Sequence, residues 1–176
     1  WAERLQRLVE ALEISVQPDV VIFDSRAGLH DIAAVLVTRM QADTFLFAVD
    51  SLQTWVGYSL LFKHWQHHPE LVNFRERLHV VAGMIPETQR DDYLSNFREH
   101  AWTLFHEHLY DEANAGDTEA FNFDLMDEQA PHAPLPVFWH RALQEFNPGG
   151  RGLDRHVSEN AMQLFWQRAD LLITPT

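Results

Sequence analysis

Three apolar runs of strand length, each followed by a stretch of helical character, constrain the fold of this chain more than any other feature. They are Asp19-Val20-Val21-Ile22-Phe23-Asp24, Thr44-Phe45-Leu46-Phe47-Ala48-Val49-Asp50 and Leu78-His79-Val80-Val81-Ala82-Gly83-Met84. The first is apolar on both faces, which suits the interior of a parallel sheet rather than a half-solvated antiparallel one. Helical spacing intervenes each time. Asp31 precedes the short run Ile32–Val37, residues 52–65 read as a helix closed before Pro69, and Pro86 opens a long helix with Leu94, Phe97, Ala101, Leu104 and Phe105 on one side. Strands alternating with helices of this length imply right-handed βαβ units around a parallel sheet. The expected fold class is therefore α/β, a partial doubly wound parallel sheet flanked by helices.

The flanks are read the same way. Leu5, Leu8, Val9 and Leu12 place an amphipathic helix over residues 1–14. Residues 111–129 are acidic and weakly periodic, a surface loop with a short extended piece at 121–123. Leu135 to Trp139, bracketed by Pro131, Pro134 and Pro136, suits an edge strand. Residues 147–152 read as a turn or mobile loop, and Ser158 as the cap of a last helix carrying Ala161, Leu164, Phe165 and Trp166. The 176 residues make one α/β domain or the carboxyl-terminal part of one. Residues 1–110 supply core βα units, and residues 111–176 the irregular acidic loop, final strand and helix.

Composition narrows the function classes. A formal charge of −13, with lysine only at Lys63, argues against a nucleic-acid partner, because neutralising phosphates needs clustered cations. Cysteine is absent, which removes disulfides and thiolate metal sites. No apolar stretch approaches the roughly 20 residues of a membrane-spanning helix, and no charged-then-apolar leader opens the chain, so a cytoplasmic protein is expected. The first residue is Trp1, as expected for a piece of a longer polypeptide.

Asp24 closes the first apolar run, and Ser25-Arg26-Ala27-Gly28 follow at once. A hydrophobic strand ending in a carboxylate and opening into a small glycine-containing loop has the form of a Walker B element. The run from Asp19 to Leu29 resembles the Walker B and switch II region of the MinD/ParA family of P-loop ATPases, in the branch whose strand ends Asp-Ser-Arg-Thr-Gly. Gln41-Ala42-Asp43, the strand 44–49, Ser51, Thr54 and Gly57 are similar to the family's next strand and helix. The resemblance covers residues 17–84. It implies a P-loop NTPase-like fold that binds ATP and Mg²⁺, hydrolyses ATP as a switch, and forms a homodimer or engages a partner protein. Asp24 would hold Mg²⁺ through water, with Ser25 and Arg26 close to phosphate and the backbone at Gly28 near the γ-phosphate. Asp50 would share the carboxyl edge of the sheet. Met84 stands where the family has a base-contacting asparagine, and Leu135-Pro136 is the counterpart of its adenine-side loop.

The pattern is incomplete. The family's glycine-rich phosphate loop with its lysine is missing, since Lys63 sits mid-helix and Gly149-Gly150-Arg151-Gly152 has neither lysine nor a leading strand. The expectation is a carboxyl-terminal part separated from its phosphate loop. The alternative is a degenerate, non-enzymatic interaction module on the same scaffold. A free-standing flavodoxin-like or response-regulator-like domain ranks below both. His64, His67 and His68, and the group His100, His106, Glu107 and His108, have partial metal-ligand spacing, but histidines at helix ends are the commoner outcome. Ser25 near His30 lacks the glycine elbow of a serine nucleophile. Trp65, Trp102, Trp139 and Trp166 follow apolar patterns and are expected mainly in the core.

Overall fold

The computed structural model describes residues 1–25, 31–112, 120–144 and 154–173. Helix α1 spans Ala2–Val16 and closes on Gln17, whose left-handed backbone (φ 52°) ends the helical ladder. Helix α2 (Asp31–Thr38) leads to strand β1 (Thr44–Ala48). Helix α3 (Leu52–Trp65) spans the residues expected and begins where the Ser51 hydroxyl accepts the Thr54 N–H at 3.3 Å, an N-cap. A short helix α4 (Leu71–Phe74) and a 3₁₀ turn at Arg75–Arg77 precede strand β2 (Leu78–Ile85). Helix α5 (Arg90–His108), strand β3 (Leu135–Phe138), helix α6 (Arg141–Gln144) and helix α7 (Arg155–Ile173) complete the described elements.

The strands form a parallel sheet in the order β1-β2-β3. Pairing runs from Thr44 opposite Leu78 to Ala48 opposite Ala82, and from Val81 opposite Leu135 to Ile85 opposite Phe138. Strict alternation then assigns the side chains to two faces. Leu46, Ala48, Leu78, Val80 and Ala82 point into the larger core with Phe62, Trp65, Phe97, Ala101 and Phe105. That core is rich in aromatic contacts, with Phe62 edge-on to Phe105 at 5.1 Å and Trp55 edge-on to Phe97 at 4.9 Å. Each fully buried phenylalanine contributes about 1.5–3 kcal/mol of apolar transfer. On the opposite face Val81 and Val137 meet Phe165 of α7, joined by Phe45, Leu135 and Met162. The architecture is a small parallel sheet with helices on both faces.

Four details differ from the sequence reading. Residues 18–25 form no strand; Val20 and Val21 are exposed, and Ile22 is 84% exposed. A strand exists through its ladder, and β1 pairs with β2 alone among the described strands, so the run 19–24 has apolar composition without a partner. The helix expected from Pro86 starts four residues later, because residues 86–89 turn out of β2 and Gln89 takes a left-handed conformation (φ 57°). Ser158 lies inside α7, donating to the Arg155 carbonyl; the cap falls to Asp154, whose carboxylate accepts the His156 N–H at 2.9 Å. Residues 147–152 lie outside the described residues. Trp166, expected in the core, is 54% exposed on α7. The proline-bracketed segment does form an edge strand, with Pro136 opposite Ala82.

Residues 111–112 and 120–129 are tied down more firmly than an acidic loop suggests. Arg75 forks onto both carboxylate oxygens of Asp111 (2.6 and 2.8 Å), lies 4.5 Å over the Phe121 ring and donates to the Leu109 carbonyl. Asp111 in turn accepts the Phe121 N–H. The Arg75 hydrogen bonds hold the Asp111 carboxyl below its usual range. Beneath it, the Tyr110 hydroxyl donates to Nδ1 of the fully buried His132, and His132 Nε2–H donates to the Leu125 carbonyl. That pairing fixes the imidazole as the neutral Nε2–H tautomer. Burial pushes the Tyr110 hydroxyl up and the His132 imidazole down.

Candidate functional site

The carboxyl ends of β1 and β2 converge on one group of polar side chains. β1 passes through Val49 to Asp50, immediately before the Ser51 cap of α3, so the strand delivers Asp50 to the rim of the sheet. Its carboxylate Oδ1 accepts Trp55 Nε1–H at 2.7 Å and His100 Nδ1–H at 2.9 Å. Its main-chain N–H donates to the Tyr93 hydroxyl at 2.8 Å, and that hydroxyl donates onward to the Gly83 carbonyl at 3.4 Å. One carboxylate and one phenol thereby join β1, α3, α5 and the end of β2. Burial and, to a lesser degree, the neighbouring Asp50 charge raise the Tyr93 pKa above the usual tyrosine value, so Tyr93 is a neutral donor. On the outer side of β1, Tyr58 donates to the Phe47 carbonyl at 2.8 Å, and burial pushes its hydroxyl up to about 12.

β2 ends irregularly beside this cluster. Between Ala82 and Ile85 it carries one residue more than β3 does between Pro136 and Phe138, a bulge. Gly83 occupies the tight side, where an added Cβ would stand 3.3 Å from the Ala48 carbonyl oxygen. Met84 takes the left-handed conformation (φ 54°) and is turned out, 54% exposed. A cleft of about 570 Å³ follows, lined by Pro86, Thr88, Gln89, Asp92, Tyr93, Ser95 and Asn96. Its polar groups are amides, hydroxyls and one carboxylate, with no cation among them. The nearest guanidinium in sequence, Arg90, is stacked 4.7 Å over the Phe138 ring. Such a lining accepts a neutral hydrogen-bonding group far better than a phosphate.

The sequence-selected residues are thus divided. Asp50 and Met84 stand at the carboxyl edge of the sheet. Pro136 is buried within β3. Asp24 and Ser25 are exposed in the irregular segment that follows α1, outside the sheet, so Asp24 is not carried to the rim by a strand. Arg26, Gly28 and His30 lie outside the described residues, as does the 149–152 glycine run. The histidine groups find local partners: His67 donates to the Lys63 carbonyl, His68 accepts the Glu70 N–H, His106 stacks on Trp102 and His108 meets the Ser59 hydroxyl at 3.2 Å. Among the described residues no three His, Asp or Glu side chains converge to hold a metal ion.

Sequence reasoning missed Trp55, Tyr93 and His100 as the partners of Asp50. The signal was present in part, since a tryptophan five residues after a strand-terminal aspartate lies within one and a half helical turns of it. Tyr93 and His100 arrive only through the packing of α5 on α3. Among the described residues no helix is long and apolar enough to cross a membrane. No family model matches the chain, and no curated protein or solved structure is significantly similar to it.

Proposed function

We propose that this chain is the carboxyl-terminal part of a MinD/ParA-like cytoplasmic switch ATPase. In this reading Mg²⁺-dependent ATP hydrolysis controls dimerisation and partner binding, and the phosphate loop comes from another stretch of polypeptide. The observation that carries the reading is the state of residues 20–24. A run of strand composition ending in a carboxylate is exposed and unpaired, while the next two apolar runs of the chain pair in parallel. A neighbouring strand that buried Val20, Val21 and Ile22 would hold Asp24 at a sheet rim, where ligands of open α/β folds bind.

The donor set is compatible with the group. An exposed carboxylate suits Mg²⁺, which takes one or two protein carboxylates and keeps several waters. The cation-free cleft after Met84 suits the uncharged end of a nucleotide better than its phosphates. When bound, the ion would offset charge on the transferred phosphoryl group. Asp24 would hold it, and Asp50 would keep the rim in place through Trp55, Tyr93 and His100 rather than ligating. Arg26 and Gly28 retain the phosphate-proximal roles that the resemblance implies.

A non-enzymatic interaction module on the same scaffold is favoured by a different observation. The lone lysine, Lys63, is exposed on α3 with no glycine loop around it, and the Asp50 carboxylate is already hydrogen-bonded by two donors. Titration with Mg²⁺-ATP separates the two, using the 176-residue chain and any longer product of its gene. The ATPase reading expects Mg²⁺-dependent binding by the longer product that is lost in Asp24→Ala. Absence of binding there, or indifference to the substitution, leaves the interaction module.

A further inference from the structure

His79 occupies the seam between the sheet and α7. As the second residue of β2 it points, like Val81, to the face that α7 covers. It is 6% exposed, its ring centroid lies 5.5 Å from that of Phe45, and Phe45 meets Phe165 of α7 edge-on at 5.1 Å. Its Nε2 is buried without a hydrogen bond. The closest carboxylate oxygen, Asp43 Oδ1, stands 3.7 Å away, beyond hydrogen-bond range. Asp43 precedes β1, is partly exposed, and is shared with Arg77 at 3.8 Å. From α7, Arg168 acts on the imidazole as a repelling charge. Among the described residues, Asp43 and Arg168 are the charges that act on the ring, and Arg77 shares Asp43.

A neutral imidazole is tolerated in this seam, whereas an imidazolium brings a full charge into an apolar contact with no carboxylate close enough to bond it. We infer that His79 makes the docking of α7 on the sheet sensitive to pH: the helix is held while the ring is neutral and loosens when the ring gains a proton. α7 is the element that yields, because among the described residues it buries one large side chain, Phe165, beside the small Ala161 and Ala169, while α3 and α5 share the large aromatic core. Burial holds the imidazole below the usual histidine range; Asp43 opposes this and Arg168 adds to it. The response therefore begins near the ordinary histidine value of about 6.5 and grows as pH falls.

The test is hydrogen exchange of peptides covering residues 155–173 in the full chain at pH 7.5 and 5.5, corrected for the intrinsic pH dependence of exchange. The expected result is at least an approximately threefold loss of protection at the lower pH. His79→Gln abolishes the difference. Arg168→Gln removes a repulsion and shrinks it, while Asp43→Asn removes an attraction and enlarges it. A His79→Gln chain that keeps the wild-type response overturns the inference, as do Arg168→Gln and Asp43→Asn moving the response in the same direction. The opposed pair decides the matter even where His79→Gln fails to fold.

Discussion

Replacing Asp50 tests whether the rim of the sheet is held by this carboxylate or merely decorated by it. Its side chain is 16% exposed and accepts two hydrogen bonds, from the Trp55 indole at 2.7 Å and the His100 imidazole at 2.9 Å. The two are not equal. The His100 side chain is 54% exposed and regains water when its partner is removed, so its share is about 0–1 kcal/mol. The indole N–H is part-buried, and stranding it costs about 1–3 kcal/mol. Asp50→Ala is therefore expected to lower stability by about 2–3 kcal/mol, whereas Asp50→Asn, which keeps an oxygen for Trp55, costs about 1 kcal/mol or less. Neither change touches the main-chain N–H that Tyr93 accepts. Urea unfolding at neutral pH with linear extrapolation measures both values. Two variants within about 0.5 kcal/mol of the parent, or an asparagine as costly as the alanine, would refute the reasoning.

Three further outcomes follow from the same geometry. Ile22→Ser, at a position 84% exposed, should change stability by less than about 0.5 kcal/mol in the urea assay, where a buried strand position would lose about 2 kcal/mol or more. His132 is buried with a lowered pKa, so the fold favours its neutral form. Its contribution is present above about pH 6.5 and is lost as pH falls through the lower folded-state value; Tm measured from pH 7.5 to 5 should fall less steeply in a His132→Asn chain. Asp111 works in a more acidic window, its contribution present above about pH 3.9 and lost as pH falls through its depressed folded value. Because its side chain is 41% exposed, Asp111→Asn should cost only about 1 kcal/mol by urea unfolding at pH 7, and that cost should vanish in acid.

The parts of the fold legible in the sequence are those fixed by local patterning. The run at 78–84 is a strand buried on both faces along most of its length, and the run at 44–50 supplies β1, which buries Leu46 and Ala48 on one face and leaves Phe47 exposed on the other. The long helices follow from apolar spacing, and Ser51 marks the start of one of them. The run at 19–24 has the same composition, yet composition cannot supply the neighbour that turns an apolar run into a strand. Periodicity likewise says nothing of the bulge at Gly83–Met84, which arises from a one-residue difference between paired strands. The rim cluster was half legible. Asp50 was singled out as a strand-terminal carboxylate, but Tyr93 and His100 reach it across 43 and 50 residues of sequence, through the packing of α5.

That distinction bears on how two strand-terminal aspartates divide their work. The Oδ1 oxygen of Asp50 is held by an indole and an imidazole, and turning the carboxylate to bring that oxygen to a cation would leave the indole part-buried without an acceptor. Mg²⁺ also dehydrates reluctantly and gains little from a ligand that is costly to detach. Asp50 is therefore better suited to fixing the rim than to binding, whatever ligand the rim serves. Asp24 has the opposite character: it is exposed and in no strand, and among the described residues no hydrogen bond opposes coordination or orients its carboxylate. Besides a phosphate loop from another stretch of polypeptide, the proposed ATPase thus requires the pairing of Val20–Phe23 with a strand from elsewhere. That event would bury the exposed apolar run and position the carboxylate together, with the hydrophobic gain of the first supplying the order that the second lacks.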